Sequence, residues 1–187
     1  MSKFNPRTLV LLLLILVVGV IRVITKMDAA AIANFSPVGA MAMFGGAYFT
    51  KKWKAFVFPL AILFVSDLVL FTLLNAHGHG LLYGGWYWTY GAFAVMTLVG
   101  RWMMKQVTTP NVLLAGLTCV FIHWIVTDFG VWLDSTLYAK TISGFISCLI
   151  AAIPFEFSFL AGTFIYSVVL FGLFQWMQQR YHILKTA

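Results

Sequence analysis

The feature that most constrains this chain is a series of long apolar runs that carry almost no charge. Only 9% of its 187 residues are charged, whereas a soluble domain carries about 25%, so the chain cannot cover a water-facing surface. The runs are continuous and do not alternate apolar with polar residues, which excludes a membrane β-barrel. Lipid tolerates only helices or closed barrels. The sequence therefore predicts an all-α integral membrane protein with one domain, residues 1–187.

Six predicted spans follow from the rule that a helix needs about 20 apolar residues to cross a bilayer. They are residues 8–25, 37–50, 53–74, 86–104, 111–133 and 155–178. A further short helix is predicted at residues 141–153, ending at Pro154, and it forms either an interfacial helix or the first half of a broken span.

The first run also has the shape of a signal peptide followed by a small-residue cleavage site at Ala29, Ala30, Ala31 and Ala33. Arg22, Lys26 and Asp28 separate its apolar core from those alanines, and retaining the run gives an even number of spans. We therefore expect it to remain in the mature protein.

Basic residues distinguish the two sides of the predicted bundle. When alternate connections are assigned to opposite sides, nine Lys and Arg fall on one side, and only Arg22, Lys26 and Lys140 fall on the other. Cytoplasmic loops carry the excess of positive charge, so both termini are expected in the cytoplasm. The same rule accounts for the net charge of +7 without a nucleic-acid partner. The expected partner is the lipid bilayer of a cytoplasmic membrane.

Ionisable residues within the predicted spans indicate the candidate site, because a charge in hydrocarbon is costly and by default faces a bundle interior or a cavity. From the cytoplasmic edge of their spans, Asp67, His123 and Asp128 lie at roughly 21, 18 and 26 Å. In a core of about 30 Å all three fall in the outer half, beside the polar outer connections. The candidate substrate-binding residues are Asn34, Asp67, His77, His79, Tyr83, Trp86, His123, Asp128, Trp132, Tyr138 and Lys140.

Several of these residues have an alternative, structural interpretation. Asp67 and Asp128 could equally be hydrogen-bonded carboxyls that brace neighbouring helices, and His123 could be a satisfied core histidine. His123 and Asp128 are also about 140° apart on a regular helix, so one face does not present both. His77 and His79 are two residues apart, a spacing that could admit a metal, but flexible loop residues are favoured and no metal or cofactor is predicted.

The sequence contains few features that indicate catalysis. Ser66, His123 and Asp128 provide a nucleophile, a base and an orienting group on paper, but no nucleophile motif surrounds Ser66. The sequence also lacks a zinc-protease motif, a phosphate-binding loop and a dinucleotide fingerprint. No enzyme and no catalytic residue is therefore predicted, and active transport would need a partner or an ion gradient.

Four segments carry a resemblance to known proteins: NFSPVGAMAMFGGAYF (34–49), SDLVL (66–70), TDFGVWL (127–133) and YAKTISGFISCLIAAIPF (138–155). They resemble an uncharacterised family of bacterial six-span membrane proteins, which is similar to the substrate-binding S components of energy-coupling-factor vitamin transporters. The resemblance implies an S-component-like six-helix bundle in a bacterial inner membrane, with energising subunits as partners. It also implies that the loops around Asn34, His77 and Asp134 enclose a water-soluble vitamin or precursor. Some solitary relatives of S components take up cobalamin through a side chain on cobalt, which would give His77 and His79 a role.

Three functional hypotheses follow. The preferred one is a substrate-binding, transporting membrane protein that captures a vitamin-like small molecule in an outward-facing pocket. The alternative is an interaction or assembly protein without a ligand, favoured by the small residues of the second span, where Ala42 and Gly46 are four apart. The third is an intramembrane enzyme that uses His123 and an acidic residue.

Overall fold

The computed structural model describes residues 5–27, 34–73 and 82–185. These residues form six α-helices and a final 3-10 turn, with no strand among them. The prediction of an all-helical chain is confirmed. The helices are α1 (Pro6–Met27), α2 (Val38–Tyr48), α3 (Lys52–Leu73), α4 (Trp86–Met103), α5 (Thr109–Asp134) and α6 (Ile142–Arg180), followed by the turn His182–Leu184.

Four helices are long and apolar enough to cross a membrane, which indicates that the chain is embedded in one. They are the part of α1 from Pro6 to Ile24, together with α3, α5 and α6. Helix α4 has 18 residues and begins with Trp and Tyr side chains, and α2 has only 11 residues. At 1.5 Å per residue α2 is roughly 17 Å long, about half the thickness of a hydrocarbon core.

Helix α2 forms the centre of the bundle. All of its residues except Ala47 are buried, and it packs against α3, α4, α5 and α6. The close backbone approach predicted for its small residues is confirmed at Gly46. A Cβ atom at Gly46 would lie 2.3 Å from the Thr97 carbonyl oxygen of α4, and one at Gly100 would lie 2.6 Å from the Met43 Cα atom. Helices α2 and α4 are therefore in contact backbone to backbone.

Helix α6 differs from the sequence prediction. Residues 141–153 were expected to form a separate short helix ending at Pro154, but the structure joins them to the following span in one helix of 39 residues. Proline removes one backbone donor and clashes with the preceding turn, yet the helix continues on both sides of Pro154. Prolines are tolerated in membrane helices where neighbouring groups satisfy the freed backbone.

Arg7 ties three segments together at one end of the bundle. Its guanidinium donates to the Leu184 and Tyr48 carbonyl oxygens, at 3.0 and 3.2 Å, and lies over the Phe174 ring. Arg7, Lys52, Arg101 and Lys105 line one cavity of about 650 Å³ there. We call this end of the bundle, defined by those four residues, the basic end.

Two glycines of α4 provide a matched test of the central packing. Gly100→Ala should destabilise the chain by about 1–3 kcal/mol, because the new methyl group meets the α2 backbone and that backbone cannot move as a flexible side chain can. Gly91→Ala is the control, since no atom lies within 4 Å of a Cβ there. Thermal unfolding of both variants in detergent measures the difference. Equal unfolding temperatures would contradict the close packing.

Candidate functional site

A buried ion pair joins α1 to α3. The Arg22 guanidinium donates to Asp67 Oδ1 and to Ser66 Oγ, both at 2.6 Å, and all three side chains are buried. Ser66 in turn donates to the Leu63 carbonyl oxygen at 2.8 Å. The sequence analysis counted Arg22 among the few basic residues of the outer side, whereas the structure buries it within α1, which extends to Met27.

Asp67 also receives a hydrogen bond from α4. The Tyr90 hydroxyl donates to Asp67 Oδ2 at 3.0 Å, so each carboxylate oxygen of Asp67 has a donor. The arginine balances the charge of this carboxylate, and the arginine and the hydroxyl together supply its hydrogen bonds. This is the bracing role described above as the alternative for Asp67, and it links α1, α3 and α4.

A second polar pair joins α5 to α6. His123 Nδ1 lies 2.9 Å from Glu156 Oε1, and the His123 ring stacks on Phe159 with 3.9 Å between ring centres. Glu156 lies at the start of the predicted span 155–178 and was not selected as a candidate. Because α6 begins at Ile142 and continues through Pro154, the structure places Glu156 inside the helix, where it is buried.

Asp128 lies on α5, five residues beyond His123, and is also buried. Its backbone carbonyl oxygen accepts a hydrogen bond from Cys148 Sγ of α6 at 3.7 Å. A regular helix directs Asp128 and His123 about 140° apart. The structure nevertheless brings both to one cavity, which extends over two turns of α6 from Cys148 to Glu156.

These groups surround two adjoining cavities that share Asn34, Thr89 and His123 in their walls. We call the pair the polar cavity. Its arginine lobe, of about 350 Å³, is bounded by Arg22, Asp67, Tyr83 and Phe159. Its glutamate lobe, of about 450 Å³, is bounded by Asp128, Tyr138, Phe155 and Glu156. The polar cavity lies toward the end of the bundle opposite the basic end, as the 15 residues between Arg7 and Arg22 along α1 require.

Two connections contribute to the wall of the arginine lobe. Asn34 adopts a left-handed backbone conformation, with φ of 67°, just before α2, and Tyr83 precedes α4. Burial raises the pKa of the Tyr83 phenol, and a hydrogen bond with Thr89 opposes that shift. Tyr83 therefore remains a neutral hydrogen-bonding group at neutral pH.

Six of the predicted residues line the polar cavity: Asn34, Asp67, Tyr83, His123, Asp128 and Tyr138. Three others are not among its lining residues. Trp86 is largely exposed and packs against the Tyr90 ring, while Trp132 and Lys140 brace the turn from α5 to α6. The remaining two, His77 and His79, lie outside the residues that the structure describes.

The bracing of that turn is a local helix-capping arrangement. Lys140 Nζ donates to the carbonyl oxygens of Trp132, Leu133 and Ser135, and Trp132 Nε1 donates to the Ala139 carbonyl oxygen at 2.8 Å. The last carbonyl groups of a helix lack partners within it, and a cation there also complements the helix dipole. The structure thus gives Lys140 a capping role at the end of α5.

The catalytic arrangement considered for Ser66, His123 and Asp128 is not assembled in the structure. Ser66 bonds to Arg22 and Leu63, while His123 bonds to Glu156. Arg22 and Glu156 are the functional residues that the sequence analysis missed. The available signal for Arg22 was its depth: it lies 15 residues beyond Arg7, and Asp67 lies 15 residues beyond Lys52.

Comparison with known proteins gives one family. The family model described as "Family of unknown function (DUF6580)" matches residues 2–184. No curated protein and no solved structure matches the chain.

Removing one partner of the buried ion pair should be strongly destabilising. Asp67→Asn leaves the Arg22 charge uncompensated, for which we expect a loss of about 3–5 kcal/mol. The double variant Arg22→Met, Asp67→Leu should recover part of the loss, because it removes both charges. Asp134→Asn is the control, since Asp134 is exposed and bonded only to Tyr87 among the described residues. Unfolding in detergent measures all three, and equal effects of Asp67→Asn and Asp134→Asn would contradict the assignment.

Proposed function

We propose that this chain, which belongs to the family of unknown function DUF6580, is a membrane protein that captures a small molecule in the polar cavity. The observation that carries the proposal is the arrangement of that cavity. Groups from the connections before α2 and α4 meet buried ionisable groups of α1, α3, α5 and α6 around two adjoining cavities that share lining residues.

The size and the lining of the polar cavity support this function. Small-molecule sites typically enclose about 300–1,000 Å³ and combine apolar walls with a few convergent polar groups. The lobes, of about 350 and 450 Å³, fall in that range. Phe71, Phe159 and Phe155 provide apolar wall, and Asn34, Thr89 and His123 provide polar groups that both lobes share. A molecule of vitamin size fits these dimensions.

The alternative, an assembly protein without a ligand, rested on the small residues of the second span. Those residues lie in α2, which is enclosed by the chain's own helices. Gly46 contacts the α4 backbone, and Gly39 contacts Thr163 of α6. Helix α2 therefore offers no small-residue face to another protein, and the feature that favoured assembly has an internal explanation.

The resemblance to S components of energy-coupling-factor transporters supports a transport role with energising subunits. On this proposal six spans cross a bacterial cytoplasmic membrane, with both termini and the basic end in the cytoplasm, as the positive-inside rule favours. The polar cavity then faces the exterior. A water-soluble, vitamin-like molecule would enter near Asn34 and Tyr83.

Capture can be tested by ligand-dependent stabilisation. We expect at least one compound of a panel of water-soluble vitamins and precursors to raise the unfolding temperature of the purified chain, because a ligand at 100 times its dissociation constant adds about 2.7 kcal/mol. Native mass spectrometry of protein extracted gently from its own membrane should show the same compound bound. No stabilising compound and no bound small molecule would overturn the proposal.

Two alanines of α6 locate the binding. Ala151→Phe places a large side chain in the glutamate lobe, which Ala151 lines, so the ligand-dependent shift should be lost. Ala161→Phe is the matched control on the same helix, because Ala161 is exposed and lines neither lobe of the polar cavity. A shift that survives Ala151→Phe would place the binding elsewhere.

The proposed orientation can be tested by cysteine labelling in spheroplasts. A membrane-impermeant maleimide should label Leu137→Cys, which lies in the exposed turn between α5 and α6. Lys51→Cys lies near the basic end and should react with the maleimide only after the membrane is permeabilised. The native Cys119 and Cys148 are buried and give low background. The reverse labelling pattern would contradict the orientation.

A further inference from the structure

The glutamate lobe of the polar cavity has an excess of negative groups. Asp128 and Glu156 both contribute to its wall, and no Lys or Arg is among the described residues that line it. His123 is its remaining ionisable group apart from Tyr138 and Cys148. The two lobes therefore differ in charge, because the arginine lobe contains a carboxylate and a guanidinium that are already paired.

Glu156 is only half satisfied. Its Oε1 atom meets His123, whereas its Oε2 atom is buried and has no hydrogen-bond partner among the described residues. The side chain as a whole is only 9% exposed. A carboxylate oxygen removed from water without a donor costs free energy. Glu156 Oε2 is therefore a buried acceptor in a residue that lines the lobe, and no donor among the described residues reaches it.

Asp128 is the second buried carboxyl group of this lobe. It is 9% exposed, and no hydrogen bond to its carboxyl group is found among the described residues. Asp67 offers the internal comparison, because it is similarly buried but has Arg22 on one oxygen and Tyr90 on the other. The chain thus satisfies the Asp67 carboxyl group fully, whereas the Asp128 carboxyl group and Glu156 Oε2, in two residues that line the same cavity, have no donor among the described residues.

We infer that the ligand captured by this protein carries a cationic nitrogen with N–H donors, and that this group binds in the glutamate lobe between Asp128 and Glu156. The inference rests on the proposed capture function and adds the chemical class of the ligand. Charge-assisted hydrogen bonds from an ammonium or amidinium group would satisfy the open oxygens. Tyr138 and Phe155 line the same lobe, and aromatic rings also favour cations.

The arginine lobe then receives the rest of the ligand. Its polar groups are the Arg22–Asp67 pair, whose charges compensate each other, and the neutral side chains of Asn34, Ser36, Tyr83 and Thr89. Leu70, Phe71 and Phe159 complete its wall. This lining fits an uncharged ring with hydrogen-bonding substituents. The ligand class is therefore a small molecule with one cationic end and one neutral end.

Three probes of matched size and different charge test the inference: benzylamine, benzyl alcohol and benzoate. Each is titrated against the full chain in detergent at neutral pH, and the shift in unfolding temperature gives an apparent affinity. We expect benzylamine to bind at least tenfold more tightly than the other two. Equal or tighter binding of benzyl alcohol, as protonated carboxyl groups in the lobe would favour, or of benzoate would overturn the inference.

Isosteric variants connect the preference to the two carboxyl groups. Glu156→Gln keeps an acceptor for His123 but removes the charge, so benzylamine affinity should fall at least tenfold while binding of benzyl alcohol is unchanged. Asp128→Asn should also lower the affinity for benzylamine. This variant provides the test if Glu156→Gln does not fold. Asp134→Asn is the control, since Asp134 is exposed and lines neither lobe. Unchanged benzylamine affinity in folded Glu156→Gln and Asp128→Asn would overturn the inference.

The vitamin panel separates this inference from the capture function. A stabilising compound that lacks a cationic nitrogen, and whose effect is lost in Ala151→Phe, would overturn the ligand class and leave capture established. If neither the probes nor the panel stabilise the chain and native mass spectrometry shows no bound small molecule, both the capture function and the ligand class are wrong.

Discussion

The ion pair between Arg22 and Asp67 is the interaction on which the arrangement of the polar cavity depends. Each residue lies 15 positions from a basic residue at the other end of its helix, Arg7 in α1 and Lys52 in α3. Both therefore sit at the same depth, roughly 22 Å from the basic end. An unpaired charge in hydrocarbon is costly, so the pair fixes the register of α1 against α3. Tyr90 extends the same constraint to α4.

The polar cavity lies at the end of the bundle opposite the basic end, and it exists because α2 is short. A helix of 11 residues extends over roughly 17 Å, so it fills only the half of the bundle that adjoins the basic end. Its glycine contacts with α4 hold it there. The turn at Asn34 then crosses toward α6, where Ser36 packs on Gly162. The longer helices continue past that turn, and the polar cavity occupies the volume between them.

Much of the fold could be predicted from the sequence, since hydropathy alone decides whether a segment can face lipid. Asp67, His123 and Asp128 could also be selected, because a carboxyl or imidazole within an apolar run needs a partner. The partners of these three residues could not be predicted. Arg22 and Glu156 lie near the ends of predicted spans, where hydropathy does not show which side chains are buried, and the packing of α1 on α3 and of α5 on α6 brings them inside. The predicted helix end at Pro154 was wrong because α6 continues through that residue.

His123 lies between the two lobes and is held on both sides. Phe159 stacks against one face of its ring, and Glu156 Oε1 accepts or donates the hydrogen bond at Nδ1 according to the proton's position. Glu156 thus uses one oxygen to fix His123, which lines both lobes, and its other oxygen has no partner among the described residues. A ligand cation at Oε2 leaves the contact at Oε1 in place. On the proposed binding mode His123 keeps its position when the ligand arrives, and a site element organised before binding loses less free energy to ordering.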